Sequence, residues 1–228
     1  SNNVAHGVVD MNSAMEQSCN CYFIALGQKL NVDKLINLCG DFGFGKTIEL
    51  ADNFNTKSGN LPYSDSISSL QSLANISFGQ GDLLASPLQL AVAYSCFANG
   101  GYYRPPTLMK AIINENGKAI QKVKIPECYR ILNTSTVDKI DKILMNVVIN
   151  GNGKKAYSDM TVNHGKTATA QSGWFENNRE INHTWFCGYF TINDTTYTVV
   201  VFKDDGKSGS TDCAPVFKDI SEEISEIK

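Results

Sequence analysis

The sequence predicts an α+β fold: a mainly helical region over residues 1–160, then an antiparallel meander and a covering C-terminal helix over 161–228. Three observations carry this. Apolar residues in the first part recur at helical spacing behind cap-forming Ser and Asn. The last third holds three runs rich in Thr, Val, Tyr and Phe. The chain then closes on an amphipathic stretch over 214–227 with Val216, Phe217, Ile220 and Ile224 on one side.

Taken in order, Ser13-Ala14-Met15-Glu16 reads as a capping box, with Met15, Cys19, Phe23, Leu26 and Leu30 following at helical spacing. Asn31 caps a second helix with Val32, Leu35, Ile36 and Cys39 inward, stopped by Gly40. Residues 41–66 are rich in Gly, Asn, Asp and Ser and read as a surface loop, with Asn53, Asn55, Ser58 and Asn60 as its solvated side chains. Ser86-Pro87-Leu88-Gln89 starts a helix: Ser caps, Pro takes the first helical position, and Gln completes the box. That helix runs to Asn99 and ends at Gly100-Gly101. Residues 112–118 suggest a peripheral hairpin, and a helix from about Ser135 carries Val137, Ile140, Leu144, Val147 and Val148 before Gly151 closes it. Strands are expected over 161–171, 183–192 and 195–203, with a short Asn193-Asp194 turn between the last two. Glu176-Asn177-Asn178-Arg179-Glu180 lies between two strands, either as a rim of the cleft or as a solvated tip.

The 228 residues, 42% hydrophobic, suffice for one domain or most of one. A net charge of −3 offers no basic field, so no nucleic acid partner is expected. No apolar run approaches the ~18–20 residues that cross a bilayer. The opening Ser1-Asn2-Asn3, without an initiating Met, favours truncation. Seven cysteines contain no C-x-x-C pair, and His6, His164 and His183 are too scattered to complete a zinc site, so neither metal nor organic cofactor is implied. Cys19-Asn20-Cys21 could be read as a redox or metal pair but is not taken as one, and Cys39 and Cys96 read as small core residues.

Two short motifs carry chemistry. Ser18-Cys19-Asn20 is an S-x-N, and Lys166-Thr167-Ala168-Thr169 is a K-T-[small]-T strand well downstream. Each alone is ordinary surface polarity. Residues two apart on a helix diverge by about 200°, so Ser18 and Asn20 share a site only if the backbone breaks at Cys19. Together and in this order they match two parts of the S-x-x-K, S-x-N, K-T-G signature of serine acyl-transferases that act on penicillin-like substrates. No S-x-x-K lies upstream of Ser18. Ser225-Glu226-Ile227-Lys228 has the spacing, but in a terminal helix after the K-T strand.

Further segments extend the match. Ser77 to Ala91, containing Gly79-Gln80-Gly81 and Ser86-Pro87-Leu88-Gln89, resembles the G-Q-G-x-x-x-x-[ST]-P-L-Q-x-A segment of penicillin-binding protein transpeptidase domains. His6 to Asp10 before the S-x-N, Trp185 to Phe190, and Ser210-Thr211 with Ala214-Pro215 resemble the same family in order. The resemblance implies a penicillin-binding protein/β-lactamase-like fold and the C-terminal part of a class B-like D,D-transpeptidase. It implies peptidoglycan stem peptides and β-lactam antibiotics as partners, and a place on the extracytoplasmic face of the bacterial membrane through an upstream anchor. Carried over, Ser18 belongs to a proton relay and Asn20 hydrogen-bonds the substrate amide. Lys166 supplies positive charge near the Ser18 hydroxyl and the substrate carboxylate. Thr167 and Thr169 contact that carboxylate, and the Thr169 N–H gives half of an oxyanion hole. Ala168 stands where the family has Gly, beside Lys166 on one face of the strand, where its methyl either narrows the cleft or, the reading favoured here, is a tolerated variant.

Two rival outcomes remain open at this point: a β-lactam sensor or inert transpeptidase homologue, and a serine β-lactamase. The 228-residue chain by itself is expected not to form an acyl-enzyme. It is also expected to be covered by another copy or chain segment, or to be only marginally stable, because the K-T strand lacks neighbours.

Overall fold

In the computed structural model, residues 5–51, 54–122 and 126–227 are described; Asn53 and Lys228 fall outside that range. Asp10 caps α1 (Met11–Glu16), accepting from the Ser13 amide at 2.8 Å while the Ser13 hydroxyl donates back at 2.6 Å. The capping box is therefore Asp10 with Ser13, one turn earlier than the Ser13–Glu16 box the sequence suggested, because the aspartate already satisfies the first free amides. The helical run through Met15, Cys19 and Phe23 is also not continuous. It breaks at Gln17–Cys19, and α2 (Asn20–Gly27) begins anew, leaving Leu30 exposed beyond its end.

Asn31 caps α3 (Val32–Asp41) through the Lys34 amide at 2.9 Å, as expected. The helix passes through Gly40 and stops two residues before Gly43, whose φ of +91° an L side chain rarely adopts. The segment expected as a loop contains a small hairpin, β1 (Glu49–Ala51) with β2 (Phe54–Asn55), and a 3-10 turn over Ser64–Ser66. Asn60 is structural: it bridges to Leu84, and its amide donates to the Asp82 carbonyl at 2.6 Å. A further helix, α4 (Leu70–Ser77), had no sequence expectation and packs against α2.

Ser86 and Gln89 make the expected box on α5 (Pro87–Ala98), and Gln89 does more. Fully buried, it donates to the carbonyls of Gly43, Lys46 and Ser58 at 3.1, 3.1 and 2.8 Å, tying the loop to the helix start. Beyond it lie β3 (Tyr102–Tyr103), the peripheral hairpin β4 (Ala111–Ile113) with β5 (Ala119–Lys122), β6 (Tyr129–Arg130), and α6 (Thr134–Ile149), capped by Asn133.

The main sheet is a meander in the order β7 (His164–Glu176), β8 (Arg179–Ile192), β9 (Thr195–Lys203). Both connections are two-residue turns with positive φ at each position, Asn177-Asn178 and Asn193-Asp194, matching the right-handed strand twist. The Glu176–Glu180 segment is thus the tip of a hairpin longer than expected. After α7 (Gly209–Asp212), α8 (Ala214–Ile227) crosses one sheet face. Phe217 seals against Phe186 and Phe190, with Cys213 and Ala214 completing the core. Ser221, fully buried, joins Phe217 on this inner side, whereas Val216, expected inward, is exposed because it lies one residue off the contact line. Ser221 lies 3.0 Å from Thr161 and from Asn163, and Asn163 also donates to the Ala156 carbonyl at 2.8 Å. That buried polar cluster fixes where β7 starts.

Candidate active site

Lys166 and Ser18 meet, although 148 residues separate them: the Lys166 Nζ donates to the Ser18 Oγ at 2.5 Å. Two local features make this possible. Ser18 adopts φ +52°, a left-handed conformation costly for a residue with a Cβ, which turns the chain between α1 and α2 and aims the hydroxyl at the sheet. Lys166 sits on the β7 face opposite the aromatic core, three residues into the strand fixed by Asn163.

The ammonium also donates to the Thr167 carbonyl at 2.8 Å and lies 3.5 Å from the Thr167 hydroxyl. Burial pushes its pKa down to about 8 from an ordinary 10.5. Its cross-strand partner is Cys187, whose thiol burial pushes up to about 12, so Cys187 adds no thiolate to the site at neutral pH. Lys166 is thus a polarised donor that can also give its proton away near neutrality.

Of the remaining sequence candidates, Asn20 opens α2, exposed and outside this network. Thr167 is buried and Thr169 exposed; the Thr169 hydroxyl accepts from the Gly209 amide at 3.3 Å, which links β7 to the start of α7. The Ala168 methyl is exposed, while its backbone is closely covered by Gly209, where a Cβ would stand 2.6 Å from the Ala168 oxygen. Because β7 is an edge of the described sheet, alternate N–H groups face away from β8.

Two groups near the site went unread in the sequence. Asp141 on α6 accepts from the Tyr189 hydroxyl at 2.8 Å and lies 3.4 Å from the His164 Nε2, while the His164 ring stacks on Tyr189 at 4.9 Å. The hydrogen bond from His164 holds the Asp141 carboxyl below its usual range, and burial raises the Tyr189 phenol. This cluster clamps β7 and β8 to α6 beside Lys166. The second is Asn152, whose Nδ2 approaches the Ser18 Oγ at 3.4 Å. Its only signal in the sequence is its place between Gly151, which closes the preceding helix, and Gly153.

The penicillin binding protein transpeptidase domain family matches residues 1–222. The chain belongs to that family. It is 30% identical to the peptidoglycan D,D-transpeptidase MrdA of Haemophilus influenzae over 94% of this chain and 36% of the relative. It is likewise 30% identical to the stage V sporulation protein D of Bacillus subtilis, over 94% of this chain and 34% of that protein. The chain thus spans about a third of the length of these relatives. Among solved structures it superposes on the D,D-transpeptidase domain of an Eggerthella lenta peptidoglycan glycosyltransferase with a TM-score of 0.84. That likeness has 24% identity and covers 98% of this chain and 55% of the other. Penicillin binding protein 3 of Mycobacterium tuberculosis, solved with aztreonam, gives a TM-score of 0.82 at 23% identity, covering 95% and 51%. No helix among the described residues is long and apolar enough to cross a membrane.

Proposed function

We propose that the protein containing this chain is a serine-type peptidoglycan D,D-transpeptidase that β-lactams acylate, and that Ser18, Asn20 and Lys166 belong to its catalytic machinery. The observation that carries the reading is the 2.5 Å Lys166–Ser18 contact, which unites the two motifs across the fold. In the reaction, a serine oxygen attacks the penultimate D-Ala carbonyl, the terminal D-Ala leaves with a proton, and an amine of a second stem peptide displaces the enzyme. A serine hydroxyl at neutral pH needs a route for its proton out and back. Lys166 and Ser18 form part of that route, and the ammonium attracts the substrate carboxylate.

Asn20, at the start of α2, holds the substrate amide; Thr167 and Thr169 receive the carboxylate, with Ala168 lining the strand between them. The Thr169 N–H serves the developing oxyanion. The attacking serine lies outside Ser1–Gln17, which holds no S-x-x-K, and this 228-residue chain is inactive alone. The enzyme works on the outer face of the bacterial membrane, tethered by an upstream anchor.

Acylation of the full-length protein by a fluorescent penicillin tests this. A long-lived stoichiometric adduct, slowed at least about a hundredfold by Lys166→Ala or Ser18→Ala, is expected. Rapid turnover of the adduct would point to a β-lactamase. An adduct without stem-peptide cross-linking would point to a sensor.

A further inference from the structure

The Ser18 hydroxyl has one proton to give and two lone pairs to receive with. Lys166 Nζ, at 2.5 Å, carries only donors as long as it is the ammonium, and so does the Asn152 Nδ2 at 3.4 Å. With a donor on each side, the hydroxyl proton has neither group as an acceptor. Asn152 is exposed, but its backbone is fixed at this corner. Its own amide donates to the Glu16 carbonyl at 2.9 Å, so the turn after α6 is stitched to the end of α1, two residues before Ser18. A Cβ at Gly151 would stand 2.7 Å from the Glu16 oxygen and one at Gly153 3.0 Å from the Val147 oxygen, so glycine on both sides permits the approach. Asn146 donates to Asn12 at 2.9 Å and Asn12 to Glu16 at 2.6 Å, bracing the same corner from the helix side.

We propose that Asn152 is a positioning residue for Ser18: its amide and the Lys166 ammonium together occupy the acceptor side of the hydroxyl and direct its single proton towards the reacting group. Asn152 touches no substrate in this arrangement and acts only through Ser18. The inference rests on the proposed role of Ser18 in proton transfer.

The test uses the full-length protein and the second-order rate constant for acylation by a fluorescent penicillin, together with thermal melts. Asn152→Leu, similar in size but without a donor, is expected to slow acylation roughly five- to tenfold, the worth of one neutral hydrogen bond, with the melting temperature held within about 2 °C. Asn152→Asp is expected to slow it further, because a carboxylate accepts the Ser18 proton and turns it away from the substrate. In a Ser18→Ala background, Asn152→Leu should add less than about a twofold loss, since the group it acts through is gone. A wild-type rate in both Asn152 variants overturns the inference, as does an undiminished loss in the Ser18→Ala background. Where Asn152→Leu fails to fold, the isosteric Asn152→Asp and its double variant decide by the same criterion. If Ser18→Ala slows acylation but the Asn152 variants do not, only this inference fails. If the wild type is not acylated, or Ser18→Ala leaves the rate unchanged, the functional reading falls and takes the inference with it.

Discussion

The two faces of the β7–β9 sheet are built from the same strands and do opposite work. On one face, Phe186, Phe190, Tyr197, Val199 and Val201 meet Phe217 and Ile224 of α8 in an aromatic and aliphatic layer. On the other, His164, Lys166, Cys187 and Tyr189 point towards α5 and α6, and every one of them is titratable. The period of two along a strand is what allows this, since neighbouring residues such as Phe186 and Cys187 fall on opposite sides. The difference teaches that rigidity and reactivity are separated here by the thickness of one sheet. The aromatic face holds β7 still, so that a lysine with a lowered pKa can sit within 2.5 Å of a hydroxyl from a distant helix junction.

The sharpest way to break this comparison is to damage each face in turn. Lys166→Met should reduce penicillin acylation of the full-length protein by at least about a hundredfold, with the fold retained, because removing the buried charge also removes its desolvation cost. Phe217→Ala should do the reverse. Deleting a fully buried ring from the α8 interface is expected to cost ~3–5 kcal/mol in denaturant unfolding, while the molecules that remain folded acylate at nearly the wild-type rate. Should Phe217→Ala lower the rate per folded molecule as far as Lys166→Met does, the two faces are not separable in function.

A smaller effect sits where the faces are clamped to the helices. Asp141→Ala leaves the Tyr189 hydroxyl without its acceptor and the His164 Nε2 without its neighbour, both partly or wholly buried. The expected loss is ~1–3 kcal/mol of stability, the penalty for an orphaned buried polar group. Asp141→Asn keeps an acceptor and should recover most of it. Equal losses from both would mean that the carboxylate charge, rather than the hydrogen bonds, holds β7 to α6.

Titration sharpens the same contrast. Lys166 has its pKa lowered to about 8 in the folded chain, against 10.5 ordinarily. Between those values the unfolded state binds more protons, so the contribution of Lys166 to stability rises with pH there. Below about 8 both states are protonated, and the cost of burying the charge is present in full without any slope. The wild-type stability minus that of Lys166→Met should therefore climb from about pH 8 towards 10.5, by at most ~1.4 kcal/mol per pH unit, in denaturant melts at a series of pH values. Subtraction is needed because the buried Cys187 and Tyr189, with raised pKa values, tilt both curves the other way. A flat difference would show that Lys166 is not buried as a charge.

How much of this was legible in the sequence depends on the range of the interaction. Caps and turns are local, so Asn31, Ser86-Pro87 and Asn193-Asp194 announced their elements correctly. Where two local signals competed, the nearer-to-ideal one won: Asp10 displaced Ser13 as cap because a carboxylate accepts more strongly from free amides. The break at Cys19 was legible only as a condition, since helical spacing alone runs straight through it. Lys166 and Ser18 could be paired because each stands in a short motif. Asn152 and Asp141 could not, because what gives them meaning is a contact with residues 134 and 48 positions away, and an Asn between glycines after a helix reads as an ordinary stop. Asn60 was misread for the same reason, its partner Asp82 being 22 residues on.

Ala168 stands where the resemblance implies a glycine, and it yields the smallest expected effect. The concern was a methyl intruding beside Lys166. That methyl is exposed, and the tight contact at this position belongs to the backbone, which Gly209 approaches so closely that a Cβ there would lie 2.2 Å from the Trp185 oxygen and 2.6 Å from the Ala168 oxygen. Restoring glycine with Ala168→Gly should change acylation of the full-length protein by less than about threefold and lower stability by ~0.5–1 kcal/mol, through the extra freedom of the unfolded chain. Gly209→Ala, one layer away, should be far worse, because neither carbonyl can move without parting β7 from β8 or lifting α7. If instead Ala168→Gly accelerates acylation tenfold and Gly209→Ala is harmless, then the side chain at 168 limits the cleft, and the backbone contact to α7 is incidental.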